Sequence, residues 1–419
     1  MLKNIYYNIT SGKEQLLNII GILLSVYPLF FLLGSLLINL NTILITILFI
    51  FYLIKYKQLN LIKNHFFILL SLLWISFVIN LYFSLNFDNS LSRTFGFLRF
   101  IFLVFAIKFF FEKSNDYIKN FVLYIWLFTF FIISLDLIFE YLFGYNTLGY
   151  KSYMPGRLAG FLNQELKIGN IYSSFFLLCA VTIFYRTNNI FYTYCFIIFA
   201  IFVSLIIGER SNFLRVISMS LFFLFFFGEK NLLRKLSTFF VILILTLSFI
   251  TFNKEYKKRF YGQFIQPIIK YKNPIEVINN TVYGANFDRA IKIFQHNKPF
   301  GVGIKNFRIE SNKPKYGNKN LIFNDQGAAT HPHQIHLEIL SETGLFGYII
   351  FLVFLILSIY FSLKKFKESN NYFILASSAY FIFSLFPLIP SGSFFTTYGA
   401  TMLWIIYGLM SVDYKKNIT

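Results

Sequence analysis

A chain of 419 residues that is 57% hydrophobic, 21% aromatic and only 13% charged is not a soluble globular protein, since average domains carry about 25% charged residues. Its net charge of +20 does not mark a nucleic-acid binder, because the basic residues fall mostly in short clusters between apolar runs, the usual topogenic pattern. Cys179 and Cys195 both lie inside apolar runs, which excludes a disulfide framework or a thiolate metal motif.

Taken in order, twelve runs approach the ~20 residues needed to cross a bilayer. They lie near 16–36, 38–55, 64–85, 94–112, 118–143, 168–186, 189–207, 212–228, 233–252, 344–363, 371–389 and 394–412. Lipid offers no partner to an open backbone group, so such spans are helical. The expected fold is an all-α polytopic membrane protein with about twelve transmembrane helices. The first run is too long for a cleavable signal peptide, and no small-residue cleavage site follows it.

Lys and Arg cluster after the even-numbered spans: Lys55, Lys57 and Lys63; Lys113 and Lys119; Arg186; Lys230, Arg234 and Lys235; Lys364, Lys365 and Lys367; Lys415 and Lys416. This bias puts both termini in the cytoplasm. It divides the chain into nine spans over 1–252 with a short outer loop at 144–167, a large outer loop at 253–343, and three spans over 344–419. The large loop carries fourteen Lys/Arg against seven Asp/Glu. It is too long for a passive connection. Apolar residues recur in it at Phe260, Phe264 and Ile268 and at Ala290, Ile293 and Phe294, which predicts short helices.

Three of the five histidines fall in Thr330-His331-Pro332-His333-Gln334-Ile335-His336-Leu337-Glu338. Pro332 suits a first helical turn capped by Thr330 or His331, which would put His333 and His336 on one face. An imidazole with a pKa near ~6.5 suits general-base work; a purely structural cap is the competing reading. The H-x-H-x-x-H spacing matches no common zinc pattern and no cysteine is near, so no metal is expected.

Arg210 at a span end, Arg157 in the short outer loop and Arg289 in an amphipathic segment offer always-charged, bidentate partners for a phosphate or diphosphate. Each has an interfacial alternative, pairing with an acid such as Glu209 or Asp288. Asp136 and Glu140 form an i,i+4 pair, readable as catalytic carboxylates or as counter-charges for Arg93 or Arg99. His65 sits at a cytoplasmic span start and reads as interfacial. Gly301-Val302-Gly303 reads as a turn, since the full nucleotide-loop spacing is missing. No nucleotide motif appears, so no cofactor is expected and the donor should be activated and membrane-borne.

At these residues the chain resembles bacterial O-antigen ligases and their polymerase relatives. The resemblance rests on Asp288-Arg289-Ala290 through His296 to Phe307, on His331-Pro332-His333-Gln334 through Glu338 to Gly347, on Gly208-Glu209-Arg210-Ser211 and on Arg157-Leu158-Ala159-Gly160-Phe161. Gln334 stands where the family usually has Asn. The resemblance covers about 90–360. It implies a metal-independent, inverting glycosyltransferase of the GT-C type in the bacterial inner membrane. Such an enzyme moves a glycan from undecaprenyl diphosphate to a lipid A–core hydroxyl on the periplasmic side. Carried over by position, His333 would be the base, Arg210 and Arg289 would hold the diphosphate, and Arg157, His331, His336 and Glu338 would be donor or acceptor contacts. A polymerase joining lipid-linked repeat units, a protein O-oligosaccharyltransferase and a lipid-linked sugar transporter are the alternatives.

Overall fold

A computed structural model of the chain describes residues 12–57, 64–228, 232–271 and 273–414. The topogenic residues Lys63, Lys230, Lys415 and Lys416 lie outside them. Among the described residues there is no strand. The α-helices of seven or more residues are α1 (Gly12–Ser25), α2 (Tyr27–Leu33), α3 (Ser35–Lys55), α4 (His65–Leu81), α5 (Phe87–Gly96), α6 (Leu98–Lys113), α7 (Asp116–Phe143), α8 (Ile168–Thr187), α9 (Ile190–Ile207), α10 (Arg210–Phe226), α11 (Leu232–Phe252), α12 (Val282–His296), α13 (Ile335–Ser369), α14 (Tyr372–Ser384) and α15 (Thr397–Met410). Local chemistry sets their ends. Asn64, Asn115, Asn189 and Asn371 cap α4, α7, α9 and α14 by accepting from backbone N–H groups of the first turn. Gly144 and Gly208 close α7 and α9 in the left-handed conformation.

The side-chain pattern on α3 identifies the solvent. Its exposed stripe is Leu36, Leu40, Ile43, Leu44, Ile47, Phe51 and Ile54, whereas its buried stripe includes Asn41 and Thr42. An apolar exterior over a partly polar interior is the reverse of a water-soluble helix and suits lipid. Inside, Trp126, Trp404, Tyr172 and Phe175 belong to one continuous aromatic-rich core.

All twelve expected runs fall on helices, with α1–α2 and α5–α6 each making up one run. Length separates them. Seven are long and apolar enough to cross a membrane, or eight if the α1–α2 pair, bent by 43°, is one span. The remaining four, α4, α10, α14 and α15, have 17, 17, 13 and 14 residues. The twelve expected runs thus comprise seven or eight of spanning length and four shorter helices among the described residues. The physical reason is plainest for the run at 371–389: its apolar character continues past Ser384, but Pro387 and Pro390 cannot continue a helix.

Hydrogen bonds draw the connections between helices together: Leu158 N–H donates to the Ile207 carbonyl, the Asn80 side chain to that of Phe300 and the Gln334 side chain to that of Pro387. Lys108 and Lys365 both pair with Asp413, which fastens the C-terminal segment to α6 and α13.

Candidate active site

The long connection is braced before it delivers any functional group. α12 packs Ala290 and Ile293 against Val302, Phe307 and Tyr316 in a small core of its own. The 299–307 segment then crosses α13 at Gly344, whose φ of 68° kinks the helix. A Cβ at Gly344 would stand 2.0 Å from the Pro299 carbonyl oxygen, so only glycine fits. The kink releases the Ser341 and Glu342 carbonyls, which accept from Val302 (3.1 Å) and Gly303 (2.8 Å). The buried Glu342 carboxylate accepts from the Lys305 and Phe307 N–H groups at 2.8 and 3.2 Å. Gly301-Val302-Gly303 is thus a bend docked on α13, with turns on either side of it. Gly344→Ala should lower stability by at least ~1–3 kcal/mol, the usual cost of such strain; thermal unfolding in detergent reads it.

The histidine stretch differs from the expected capped helix. α13 starts at Ile335, and its N-cap is Gln334, which accepts from Leu337 N–H at 2.6 Å and donates to the Pro387 carbonyl. Thr330, His331 and Pro332 precede the helix, and His333 sits in the left-handed region at φ 57°. His333 and His336 therefore do not share a helical face. The physical reason is that Gln334 reaches the free N–H of the first turn, and the 385–396 segment pins the turn before it: Ser391 donates its N–H to the His333 carbonyl at 2.9 Å, and its hydroxyl accepts from Ile335 N–H.

His331 and His333 instead lie ring to ring, with centroids 4.2 Å apart, and Tyr283 meets His333 edge-on at 6.0 Å. Burial holds both imidazoles down at about 4; Lys305 and Arg308 reinforce this for His331, and His331 does so for His333. Both are neutral at pH 7. The His331 Nε2 is buried without a partner, and the His333 ring makes no hydrogen bond among the described residues. His336 is engaged: its Nε2 donates to the Leu385 carbonyl at 2.8 Å, which leaves Nδ1 to accept from the Tyr348 hydroxyl. Glu338 is buried beneath the turn, accepting from the Ser393 hydroxyl and from Phe394 N–H at 2.7 Å, with the Lys305 ammonium 3.9 Å away.

The arginines divide into two groups. Arg210, at the first turn of α10, donates to the Gln263 carbonyl at 3.1 Å and lies within electrostatic reach of the Tyr283 hydroxyl and of Arg157. Arg157 pairs with Glu209 at 3.6 Å, and Arg259, donating to the Gly208 carbonyl, completes the cluster. Tyr283 thus touches His333 and is within electrostatic reach of Arg210. Arg289 lies on the same helix as Tyr283. Its guanidinium is buried and donates to the Ser311 and Asn324 carbonyls, and neighbouring Asp288 pairs with Lys292 at 3.0 Å.

Asp136 and Glu140 make no ion pair with Arg93 or Arg99 among the described residues. Asp136 accepts from the Thr147 N–H and hydroxyl, and Glu140 from Ala159 and Gly160 N–H. The pair secures the loop that carries Arg157. His65 stacks on Phe361, with ring centroids 4.6 Å apart.

Sequence reasoning passed over Arg259, Tyr283, Lys305 and Arg215. Arg259 was masked by the Lys257-Lys258 run, which reads as a solvated charge cluster. Arg215, an ionisable group inside an apolar run, carried a usable signal. Among the described residues no three His, Cys, Asp or Glu side chains gather closely enough to hold a metal ion.

The fold is that of an all-α, multi-pass membrane protein, with a buried histidine pair and an arginine cluster on its long and short connections. Residues 194–352 match the family model described as O-antigen ligase. This stretch, over which the chain is similar to that family, holds Arg210, Arg289 and the histidine turn and leaves Arg157 outside. No curated protein matches the chain.

Proposed function

We propose that the chain is an inverting, metal-independent glycosyltransferase that moves a glycan from undecaprenyl diphosphate to a lipid A–core hydroxyl. The observation that supports it best is Tyr283, which meets the ring of a His333 held neutral by burial and lies within electrostatic reach of Arg210. A sugar hydroxyl is a weak nucleophile, and an unprotonated imidazole removes its proton as it attacks the anomeric carbon. The departing diphosphate needs compensating charge, which Arg210, backed by Arg157 and Arg259, supplies. His331 lies against His333 and offers a second contact to the acceptor. In this reading Arg289 contributes by holding the carbonyls of the loop, and Glu338 and His336 by fixing the base of the turn.

The site would face the periplasm, with both termini in the cytoplasm of a bacterial inner membrane and a GT-C-like bundle around it. The long single connection and the histidine motif favour lipid A–core over a second lipid-linked glycan as acceptor. Transfer in vitro from purified lipid-linked donor, offered lipid A–core and excess donor as competing acceptors, tests this directly. Glycosylated lipid A–core supports the ligase, chain elongation assigns a polymerase, and absence of both products overturns the proposal. Activity is expected to survive exhaustive chelation, measured in the same assay; loss restored by an added divalent metal would overturn metal independence.

A further inference from the structure

Arg215 lies on α10 five residues after Arg210 and is only 5% exposed. Its guanidinium donates to Asn212 Oδ1 at 2.6 Å, to Asn170 Oδ1 at 3.2 Å and to the Pro390 carbonyl at 3.5 Å. All three acceptors are neutral. Its Nε is buried without a partner, and it forms no ion pair among the described residues. Glu209 is within electrostatic reach but already pairs with Arg157. A buried cation whose hydrogen bonds all go to neutral acceptors, and whose nearest acid is shared with Arg157, is a candidate ligand contact in a membrane protein.

A cavity of about 60 Å³ adjoins this side chain, lined by Asn170, Arg215, Tyr380, Ser384, Ser391 and Ser393 among others. That space admits several water-sized groups, since ~10–15 Å³ suffices for one. The Ser384 hydroxyl is buried and unpartnered there. The lining also includes Gly392, which is exposed and where an added Cβ meets nothing within 4 Å. The neighbouring Ser391 is the residue that pins the His333 carbonyl.

We propose that this cleft is a subsite for a phosphate-class anion, with Arg215 as its buried cation and the serine hydroxyls as neutral donors. Its ligand is a phosphate group, carried either by a prenyl lipid or by free inorganic phosphate. The subsite rests on Arg215 and the cavity, not on His333 or on glycan transfer, and its test reads binding.

The purified full-length chain in nanodiscs is titrated with inorganic phosphate and, separately, with a polyprenyl monophosphate, and thermal unfolding is followed. At least one is expected to stabilise the protein; a response to the polyprenyl phosphate alone assigns a lipid headgroup, and a response to both assigns a free-anion site. Arg215→Gln should weaken binding at least tenfold. Gly392→Leu, whose side chain enters open space at the cleft, should weaken it severalfold without changing ligand-free unfolding. No stabilisation by either ligand, or binding undiminished in Gly392→Leu, overturns the subsite, and the glycine variant decides the matter if Arg215→Gln does not fold.

Discussion

His333→Ala is expected to lower glycan transfer by ~10²–10⁴-fold, the usual contribution of a positioned base, while the protein stays folded in the membrane. The fold should survive because His333 makes its one pinning contact through its carbonyl, to Ser391, and the ring makes no hydrogen bond. The pH profile separates this role from a structural one. Burial lowers the pKa of both His331 and His333 to about 4, helped by Lys305 and Arg308 at His331 and by His331 at His333, and the base must be unprotonated. kcat/KM should therefore stay level from pH 7 to 5 and fall near pH 4, rather than halve near an ordinary histidine value of ~6.5. Stability follows the same sign: the unfolded histidines take up protons first, so folding weakens as pH drops from ~6.5 towards 4. Transfer that halves near pH 6.5, or a near-normal glycan ladder in His333→Ala, would remove the assignment.

Arg210→Ala is expected to cost ~10²–10³ in kcat, as removal of one preorganised donor to a developing anion does. Arg210→Lys should recover little, since an ammonium cannot present two parallel N–H groups to a diphosphate. In the fold the side chain is held by backbone carbonyls of 259 and 263 alone, so its loss should leave unfolding temperature almost unchanged. Steady-state kinetics with a lipid-linked donor measures the first effect; full activity of Arg210→Ala would show that the guanidinium serves only the 257–265 segment.

The membrane character was legible because apolar runs leave no other reading. Span number was less so, since hydropathy does not see where Pro387 and Pro390 end a helix. The histidine motif was legible as a site but not as a geometry. Proline at a first turn is a common preference, yet here the longer reach of Gln334 supplies the cap, and Ser391, more than fifty residues away, holds His333 in a left-handed turn. Arg210 and Arg157 stand out in the sequence by residue type at a span end and in a loop, and lie within electrostatic reach of each other. Arg289 stands out the same way, but its carbonyl partners come from loop backbone that no sequence pattern announces. The acidic residues show the same blind spot: Asp136, Glu140, Glu338 and Glu342 all accept from backbone N–H groups on distant loops.

The short helices α14 and α15 carry a consequence for how a substrate arrives. Even standing upright, 13 or 14 residues rise only about 20 Å, against a hydrocarbon slab of ~30 Å. With their far ends level with the opposite headgroups, the polar stretch joining them, with Ser391 and Ser393, would sit below the level of the surrounding headgroups, which is permitted only where protein walls it off from the tails. A sugar phosphate on a lipid stem would meet a dimple in the membrane, not a flat shore, and would descend into it without leaving its leaflet.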